Sequence, residues 1–257
     1  MPELPEVETV VRALRPHVEG SELLRLEPLD PAFQGLEGEL PLPAPVEGLS
    51  RRGKYILFRV GGRLLVVHLR MSGRLLWGET PPEGRVRLAL RFRKGAVFLV
   101  DRRRLAVVEV VDKFDRGLGP EPFGDLSWLP EALKGSRMPI KGWLLDQRKI
   151  AGIGNIYAAE ILYRAGIDPR RPARYLTGEE ARRLAQAIPQ VLKEAIDGKG
   201  TSLSDAEYRQ PDGELGGFQL KLAVYGRAGE ACPACGTPIA RVKIAGRSTY
   251  FCPKCQR

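Results

Sequence analysis

The chain has 257 residues, of which 43% are hydrophobic and 28% charged, so it can form one large domain or two to three smaller ones, and wholesale disorder is not expected. Its 41 lysines and arginines exceed its 31 acids and give a net charge of +10, which favours phosphate polymers or an anionic membrane surface as partners. The longest apolar stretches are of strand length, and the acidic, proline-bearing start is unlike a signal peptide, which excludes membrane-spanning and exported classes. We therefore expect a cytosolic protein without disulfides.

The chain is predicted to begin with a helix shortly after Met1. Pro5 suits the first turn of a helix, and Glu6 suits its positive end. Apolar residues then recur at helical spacing, at Val7, Val10, Val11, Leu14 and Val18. Gly20 is a suitable end for this helix.

Short β-rich runs follow from about residue 23 to residue 112. They include Tyr55–Val60, Leu64–Leu69, Val86–Phe92, Ala96–Val100 and Leu105–Val111. Their number and their turn-punctuated spacing predict a β-sandwich or barrel. Fifteen lysines and arginines against three acids lie between residues 51 and 104, and this concentration predicts one basic face or groove.

The second half of the chain is predicted to be mainly helical, with helices over Ile140–Leu145, Ile156–Arg164 and Gly178–Ile196. A glycine- and proline-rich stretch over residues 117–122 predicts a linker before them, and turn residues between 203 and 220 predict a mobile loop. We therefore expect an α+β multidomain protein. Its predicted parts are an N-terminal β domain over 1–115, a linker over 116–130, a helical domain over 131–222 and a cysteine module over 223–257.

All four cysteines lie in the last 26 residues. Cys232 and Cys235 form one Cys-x2-Cys pair, Cys252 and Cys255 form another, and sixteen residues separate the pairs. This spacing is typical of a four-thiolate zinc site on two tight turns, although a redox pair or unrelated thiols would also place cysteines here. Because four protein ligands leave no open position, we expect one structural zinc ion rather than a catalytic one.

Six further segments occur in a characteristic order. They are Met1–Thr9, Arg51–Tyr55, His68–Gly73, Leu118–Pro122, Gly152–Tyr157 and Val224–Arg227. Together with the cysteine module, this ordered set resembles the bacterial formamidopyrimidine-DNA glycosylase family, whose members are helix–two-turn–helix DNA glycosylases. The start Pro-Glu-Leu-Pro-Glu-Val-Glu favours this branch over the sister endonuclease VIII group.

The resemblance implies a set of catalytic residues. It assigns the nucleophile to the Pro2 amine after removal of Met1, and an α-amino group, which titrates near pH 8, is partly unprotonated at neutral pH. Glu3 is implied as the proton donor and acceptor, and Lys54 as a lysine that assists near the lesion phosphate. Arg247 matches the arginine of the family's zinc hairpin. Taken alone, Pro2 would be only a chain start, and Lys54 a surface charge.

The resemblance also implies residues that occupy the gap left by an extruded base. Met71 matches the methionine of one loop. In the second loop, Arg103 matches the arginine that faces the estranged base, and Arg104 is a candidate phosphate contact. Leu105 stands where the family has phenylalanine, and an apolar wedge need not be aromatic.

Two more residues match phosphate contacts of the family, His68 and Asn155. His68 could equally be a satisfied strand histidine. Asn155 follows a Gly-x-Gly pattern and opens a predicted helix, where the backbone can approach a phosphate.

The function implied is that of a bifunctional glycosylase and abasic-site lyase of base excision repair. It would excise 8-oxoguanine and formamidopyrimidines through a proline Schiff base and β,δ-elimination. The implied partner is double-stranded DNA with an oxidised base or an abasic site, held in a basic cleft. The resemblance also implies a monomer that acts at the cytoplasmic nucleoid and does not bind a membrane. The alternatives are an endonuclease VIII-like enzyme for oxidised pyrimidines and a catalytically silent lesion binder.

Overall fold

The computed structural model describes residues 1–203 and 208–257, which divide into two compact units. The first comprises Met1–Arg116 and Ile196–Gln219, and the second comprises Gly117–Ala195 and Leu220–Arg257. The finer division into parts at residues 115, 130 and 222 stays a prediction.

The first unit opens with helix α1, Leu4–Val18. Pro5 occupies the first turn, as its fixed φ allows, and the carboxylate of Glu6 accepts a hydrogen bond from the backbone N–H of Glu3 at 2.8 Å. The predicted apolar stripe faces the core, since Val7, Val10, Val11, Leu14 and Val18 are at most 1% exposed. The helical prediction is therefore confirmed.

Within the described part of the first unit, eight antiparallel strands form the rest of the framework. They are β1 Glu22–Pro28, β2 Ala44–Arg52, β3 Tyr55–Val60, β4 Arg63–His68, β5 Arg74–Gly78, β6 Val86–Phe92, β7 Gly95–Val100 and β8 Val107–Val111. Their order is β5-β7-β6-β1-β2-β3-β4-β8. Strands β1 and β2 share only two residue pairs, so they form a short junction between two four-stranded halves that sandwich a common apolar core.

The prediction that the last strand begins at Leu105 was wrong. The strand β8 begins at Val107, and residues 101–106 form a turn instead. The backbone N–H groups of Arg103 and Ala106 donate to the carboxylate of Asp101, at 3.2 and 2.7 Å. Because these donors are bound to a side chain, this stretch does not join the strand ladder.

The second unit contains α-helices and a terminal hairpin. Its elements are α2 Leu129–Lys134, α3 Ile140–Leu145, α4 Asn155–Ala165, most of α5 Gly178–Asp197, β9 Ala240–Ile244 and β10 Arg247–Phe251. Trp143 of α3 and Tyr157 of α4 are fully buried. The three predicted helices are confirmed to within one residue at each end. Within residues 1–203 and 208–257, no helix has the length and apolarity to cross a membrane.

Candidate active site and metal centre

The N-terminus of α1 carries the predicted nucleophile and proton donor. Pro2 is buried, Glu3 is 2% exposed, and Met1 is 36% exposed. The sequence Pro-Glu-Leu-Pro-Glu fixes this arrangement locally, because Glu3 is the N-cap residue of the helix that follows it. The imino nitrogen of Pro2 thus lies at the boundary between an exposed residue and the buried start of a helix.

Glu6 connects this terminus to a distant segment of the same unit. Its Oε2 accepts from the Glu3 N–H, and its Oε1 accepts from the Thr201 N–H, both at 2.8 Å. Gly200 permits this contact, because a Cβ there would lie 3.1 Å from the Glu6 side chain and 2.9 Å from Tyr208, and its φ is +80°. Sequence reasoning did not find Thr201, because a backbone donor leaves no residue-type signal.

Lys54 lies in the turn between β2 and β3 and is only 7% exposed. Gly53 before it has a φ of +57°, which this tight turn requires. The end of β2 is tied to α1, because Arg51 Nε donates to Glu8 Oε2 at 2.9 Å. The ion pair is nearly buried on the arginine side and anchors the Lys54 turn to α1.

His68 ends β4 and pairs in register with Tyr55 of β3, with ring centroids 4.6 Å apart. Its Nδ1 accepts a hydrogen bond from the Arg70 N–H at 3.1 Å. Burial, together with the positive charges of Arg70 and Lys54, lowers the pKa of His68 from about 6.5 to about 4. At neutral pH the ring is therefore neutral with its proton on Nε2, which is a donor suited to a phosphate oxygen.

This lowered pKa predicts a pH-dependent stability. Between pH 6.5 and 4 the unfolded chain protonates its histidine while the folded chain does not, so folded stability falls as the pH drops through this window. A shift of this size corresponds to about 3 kcal/mol. We expect the stability advantage of the wild type over His68→Gln to shrink by about that amount from pH 7 to pH 4. Urea unfolding of both proteins at several pH values measures it, and a constant difference would contradict the buried neutral ring.

The two predicted gap-filling loops lie at turns of the first unit. Met71 is 38% exposed and Leu105 is 39% exposed, so both apolar side chains are accessible from solvent on these turns. Arg104, in the second of these loops, forms an ion pair: its Nη2 donates to Asp30 Oδ1 at 2.8 Å, and its side chain is 44% exposed. Hydrogen bonding to Arg104 outweighs burial and holds the pKa of Asp30 well below its usual range. The phosphate role of Arg104 stays a prediction.

Asn155 is the first residue of α4, after a turn built by Gln147. The Gln147 side chain accepts from the Gly152 N–H at 2.9 Å and donates to the Ile153 carbonyl at 2.8 Å. Gly152 has a φ of +88°, which explains why glycine occupies this position. Among the described residues, Asn155 Oδ1 is buried without a hydrogen-bond partner. The sequence did not reveal the role of Gln147.

The four cysteines converge as the spacing predicts. Their Sγ atoms all lie within 4.8 Å of one another, with Cys232–Cys255 at 3.9 Å and Cys235–Cys252 at 3.5 Å. Tetrahedral zinc with Zn–S bonds of about 2.3 Å requires S–S separations of about 3.8 Å, so the set fits this ion. The cluster supports a structural zinc centre.

The hairpin β9–β10 lies between the two cysteine pairs and carries the predicted arginine. Arg247 begins β10, is exposed, and pairs in register with Ile244. The neighbouring Arg241 is engaged, since it donates to Ser248 Oγ at 2.9 Å and lies over the Tyr250 ring. Arg247 is thus presented at the hairpin tip.

The predicted site residues are therefore distributed over both units. The first unit holds seven of the predicted positions besides the wedge leucine, and the second holds the helix-start asparagine, the hairpin arginine and the cysteines. The first-unit set is Pro2, Glu3, Lys54, His68, Met71, Arg103, Arg104 and Leu105. The second-unit set is Asn155, Arg247, Cys232, Cys235, Cys252 and Cys255.

Three family models match the chain in succession. The formamidopyrimidine-DNA glycosylase N-terminal domain matches residues 1–108, and the formamidopyrimidine-DNA glycosylase H2TH domain matches residues 118–206. A zinc finger found in formamidopyrimidine-DNA glycosylases and isoleucyl-tRNA synthetases matches residues 229–257.

Relatives that align over the whole chain agree with these family-model matches. A formamidopyrimidine-DNA glycosylase of Thermus thermophilus is 47% identical, over 100% of this chain and 98% of the relative. The chain belongs to the formamidopyrimidine-DNA glycosylase family. A crystal structure of the family from Thermus thermophilus has a TM-score of 0.90 at 46% identity, covering 99% of this chain and 98% of the other. A family member from Lactococcus lactis, solved with a Fapy-dG containing DNA, has a TM-score of 0.90 at 36% identity with full coverage of both chains.

Family membership confirms several predictions made from the sequence. The chain is a DNA glycosylase for oxidised purines in base excision repair, and lyase activity is part of the family. The alternatives are not favoured. The predicted fold, a β-sandwich followed by a helix–two-turn–helix region and a zinc-finger hairpin, is confirmed. The zinc prediction is confirmed as well, by the zinc-finger match and the cysteine cluster.

Proposed function

We propose that this enzyme excises 8-oxoguanine and formamidopyrimidines and then cuts the strand, with Pro2 as the nucleophile. The observation that carries the proposal is the position of Pro2, directly before the buried Glu3 and after an exposed Met1. After Met1 is removed, the secondary amine attacks C1′ of the damaged nucleotide and the base leaves with a proton. The C1′–O4′ bond then opens with a proton going to O4′, and C1′ and the proline nitrogen form an iminium. With this iminium as the electron sink, loss of a C2′ proton expels the 3′ phosphate, and loss of a C4′ proton then expels the 5′ phosphate.

Glu3 and Lys54 are proposed to move protons and stabilise charge at this centre. Glu3 is buried, which suits a carboxyl group that must exchange protons with the departing base and the sugar. The turn that holds Lys54 is fixed by the Arg51–Glu8 ion pair, so its ammonium lies in a defined place beside the incoming phosphate. Glu6 fixes the backbone next to the nucleophile through its hydrogen bond from the Glu3 N–H.

Recognition of the lesion is proposed to use residues of both units. Met71 and Leu105 would fill the gap left by the extruded base, while Arg103 would face the unpaired partner base. His68 would donate from its neutral ring to a phosphate, and Asn155 would offer a second contact at the start of α4. The exposed apolar side chains of the two turns support the first of these roles.

The proposed partner is double-stranded DNA with an oxidised base or an abasic site, bound by a monomer. Because chromosomal DNA is the substrate, we place the enzyme at the cytoplasmic nucleoid. We propose that the loop over 202–220 covers the flipped base; residues 204–207 of this loop lie outside the described residues. Its role stays a proposal.

A substrate panel tests the proposed lesion class. Duplexes with 8-oxoguanine paired to cytosine should be cleaved with a kcat/KM at least about tenfold above that for thymine glycol duplexes. A tenfold ratio corresponds to about 1.4 kcal/mol of transition-state discrimination. A preference for thymine glycol would move the enzyme to the pyrimidine branch.

Arg247→Ala should weaken DNA binding and reduce its salt dependence. If the guanidinium neutralises one phosphate, the slope of log affinity against log salt should become shallower by about one. Fluorescence anisotropy at several salt concentrations measures this slope. Arg241→Ala is the matched control on the same hairpin, because its side chain is already bound to Ser248 and Tyr250. An unchanged slope for Arg247→Ala would mean that the hairpin tip does not touch DNA.

A further inference from the structure

A buried carboxylate, that of Asp101, lies beneath the turn that carries Arg103 and Leu105. Asp101 is fully buried, and its Oδ1 and Oδ2 accept from the N–H groups of Arg103 at 3.2 Å and Ala106 at 2.7 Å. These bonds set the shape of residues 101–106, which we call the Arg103 turn. The exposed Leu105 therefore projects from a turn that is fixed at both ends.

The same carboxylate also holds the neighbouring turn, residues 69–73, which we call the Met71 turn. Ser72 is 3% exposed, and its hydroxyl donates to Asp101 Oδ1 at 2.6 Å. The two turns are in direct contact, because a Cβ on Gly73 would lie 3.1 Å from the Ala106 Cβ. Asp101 and Ser72 thus join the two predicted wedge turns at their bases.

Hydrogen bonds and a buried cation keep this carboxylate charged. Arg87 is 2% exposed and donates from Nη1 to Asp101 Oδ2 at 3.2 Å and to the Ala106 carbonyl at 3.1 Å. Its Nε donates to Asp30, and its guanidinium lies 4.3 Å from the centre of the Phe33 ring. Although burial raises the pKa of Asp101, hydrogen bonds from the Ala106 N–H and the Ser72 hydroxyl, together with the charge of Arg87, hold this pKa below its usual range. A hydrogen bond to a charged acceptor is among the stronger kinds, so the link to Ser72 is a firm one.

The backbone of both turns is strained. Arg70 in the Met71 turn has a φ of 55°, and Arg104 in the Arg103 turn has a φ of 57°. Residues with side chains adopt this conformation only where their surroundings impose it. For both turns, the surroundings that impose this conformation are the shared Asp101 carboxylate and the close packing of one turn against the other.

We propose that Asp101 and Ser72 are positioning residues that lock the Met71 turn to the Arg103 turn, so that Met71 and Leu105 enter the duplex as one rigid wedge. The inference rests on the gap-filling roles proposed above for these two side chains. Separate, mobile wedges would have to be ordered at the moment the base leaves the stack, and a joined pair avoids that entropic cost.

Ser72→Ala tests the lock, because it removes the bond between the turns and keeps both N–H bonds within the Arg103 turn. The first readout is stopped-flow fluorescence of 2-aminopurine beside 8-oxoguanine in a duplex, which reports base displacement. We expect displacement to slow about tenfold, the change for loss of one hydrogen bond to a charged group. Ser72→Thr, which keeps the hydroxyl, should restore the rate, and Ser21→Ala is the matched serine control in the same unit.

The second readout is strand cleavage at an abasic site in single-stranded DNA, where there is no paired base to displace. Its rate should stay at the wild-type value in Ser72→Ala, since the wedges are not needed there. An equal loss in both assays would overturn the inference, because it would show a general structural defect.

Met71→Ala separates this inference from the proposed function. If Met71→Ala slows displacement while Ser72→Ala does not, the turns act independently and the inference is overturned, but the wedge role stands. If Met71→Ala itself displaces the base at the wild-type rate, the proposed wedge role fails and the inference fails with it. Slow displacement in both variants, with normal single-strand cleavage, supports the lock.

Discussion

Glu3→Gln is expected to lower the rate of base release from an 8-oxoguanine duplex by about 10²–10⁴-fold, the range for loss of a general acid or base. The replacement keeps the shape of the side chain, and the Glu3 N–H can still donate to Glu6, so the start of α1 should remain folded. Affinity for the duplex should therefore stay close to that of the wild type. Single-turnover base release and anisotropy binding measure the two quantities.

The matched control for this variant is Glu19→Gln, at the other end of the same helix, where the carboxylate is 40% exposed and paired with Arg15. It should release the base at the wild-type rate. Normal base release by Glu3→Gln would refute the proton-transfer role of Glu3. A parallel loss of DNA affinity would instead mean that the substitution disturbs the helix start.

Cys252→Ala is expected to remove the zinc ion and unfold the cysteine module. Structural zinc contributes roughly 10–16 kcal/mol of binding free energy in comparable modules, far more than a small hairpin can replace. Cys252 is fully buried, and its N–H donates to Gln256, whose side chain donates to the Ile167 carbonyl after α4. Loss of the module should therefore loosen the end of α4 as well and strongly weaken DNA binding.

Zinc content per chain and anisotropy binding measure this outcome. Lys254→Ala is the matched control, because Lys254 is exposed in the same Cys-x2-Cys turn and is not a ligand. This variant should retain one zinc ion per chain, and its DNA affinity should fall by no more than the loss of one surface charge causes. A Cys252→Ala protein that kept a full complement of zinc would contradict the four-thiolate assignment.

Much of the framework was predictable because it depends on local periodicity. Val86–Phe92 and Tyr55–Val60 were placed to the residue, since β-branched and aromatic runs between turn residues specify strands. The stripe from Val7 to Val18 specified α1 in the same way. Leu105–Val111 failed at its start because a side chain, Asp101, takes the backbone donors, and local apolarity carries no information about that.

The candidate site was predictable only where spacing or an ordered motif carries it. The cysteines were found from their spacing alone, while Pro2 and Lys54 required the family resemblance. The buried network of Asp30, Arg87 and Asp101 was missed, because its members lie 57 and 14 residues apart and look like ordinary charged residues. Such contacts form only when the strands are assembled, so no local sequence pattern predicts them.

The most direct test of the central claim is borohydride trapping of the enzyme on a duplex with an abasic site, followed by intact mass and peptide mapping. We expect one covalent adduct per chain, mapped to a peptide that begins at Pro2, with Met1 absent from the reactive protein. An adduct on a lysine such as Lys54, or efficient trapping by protein that retains Met1, would contradict it.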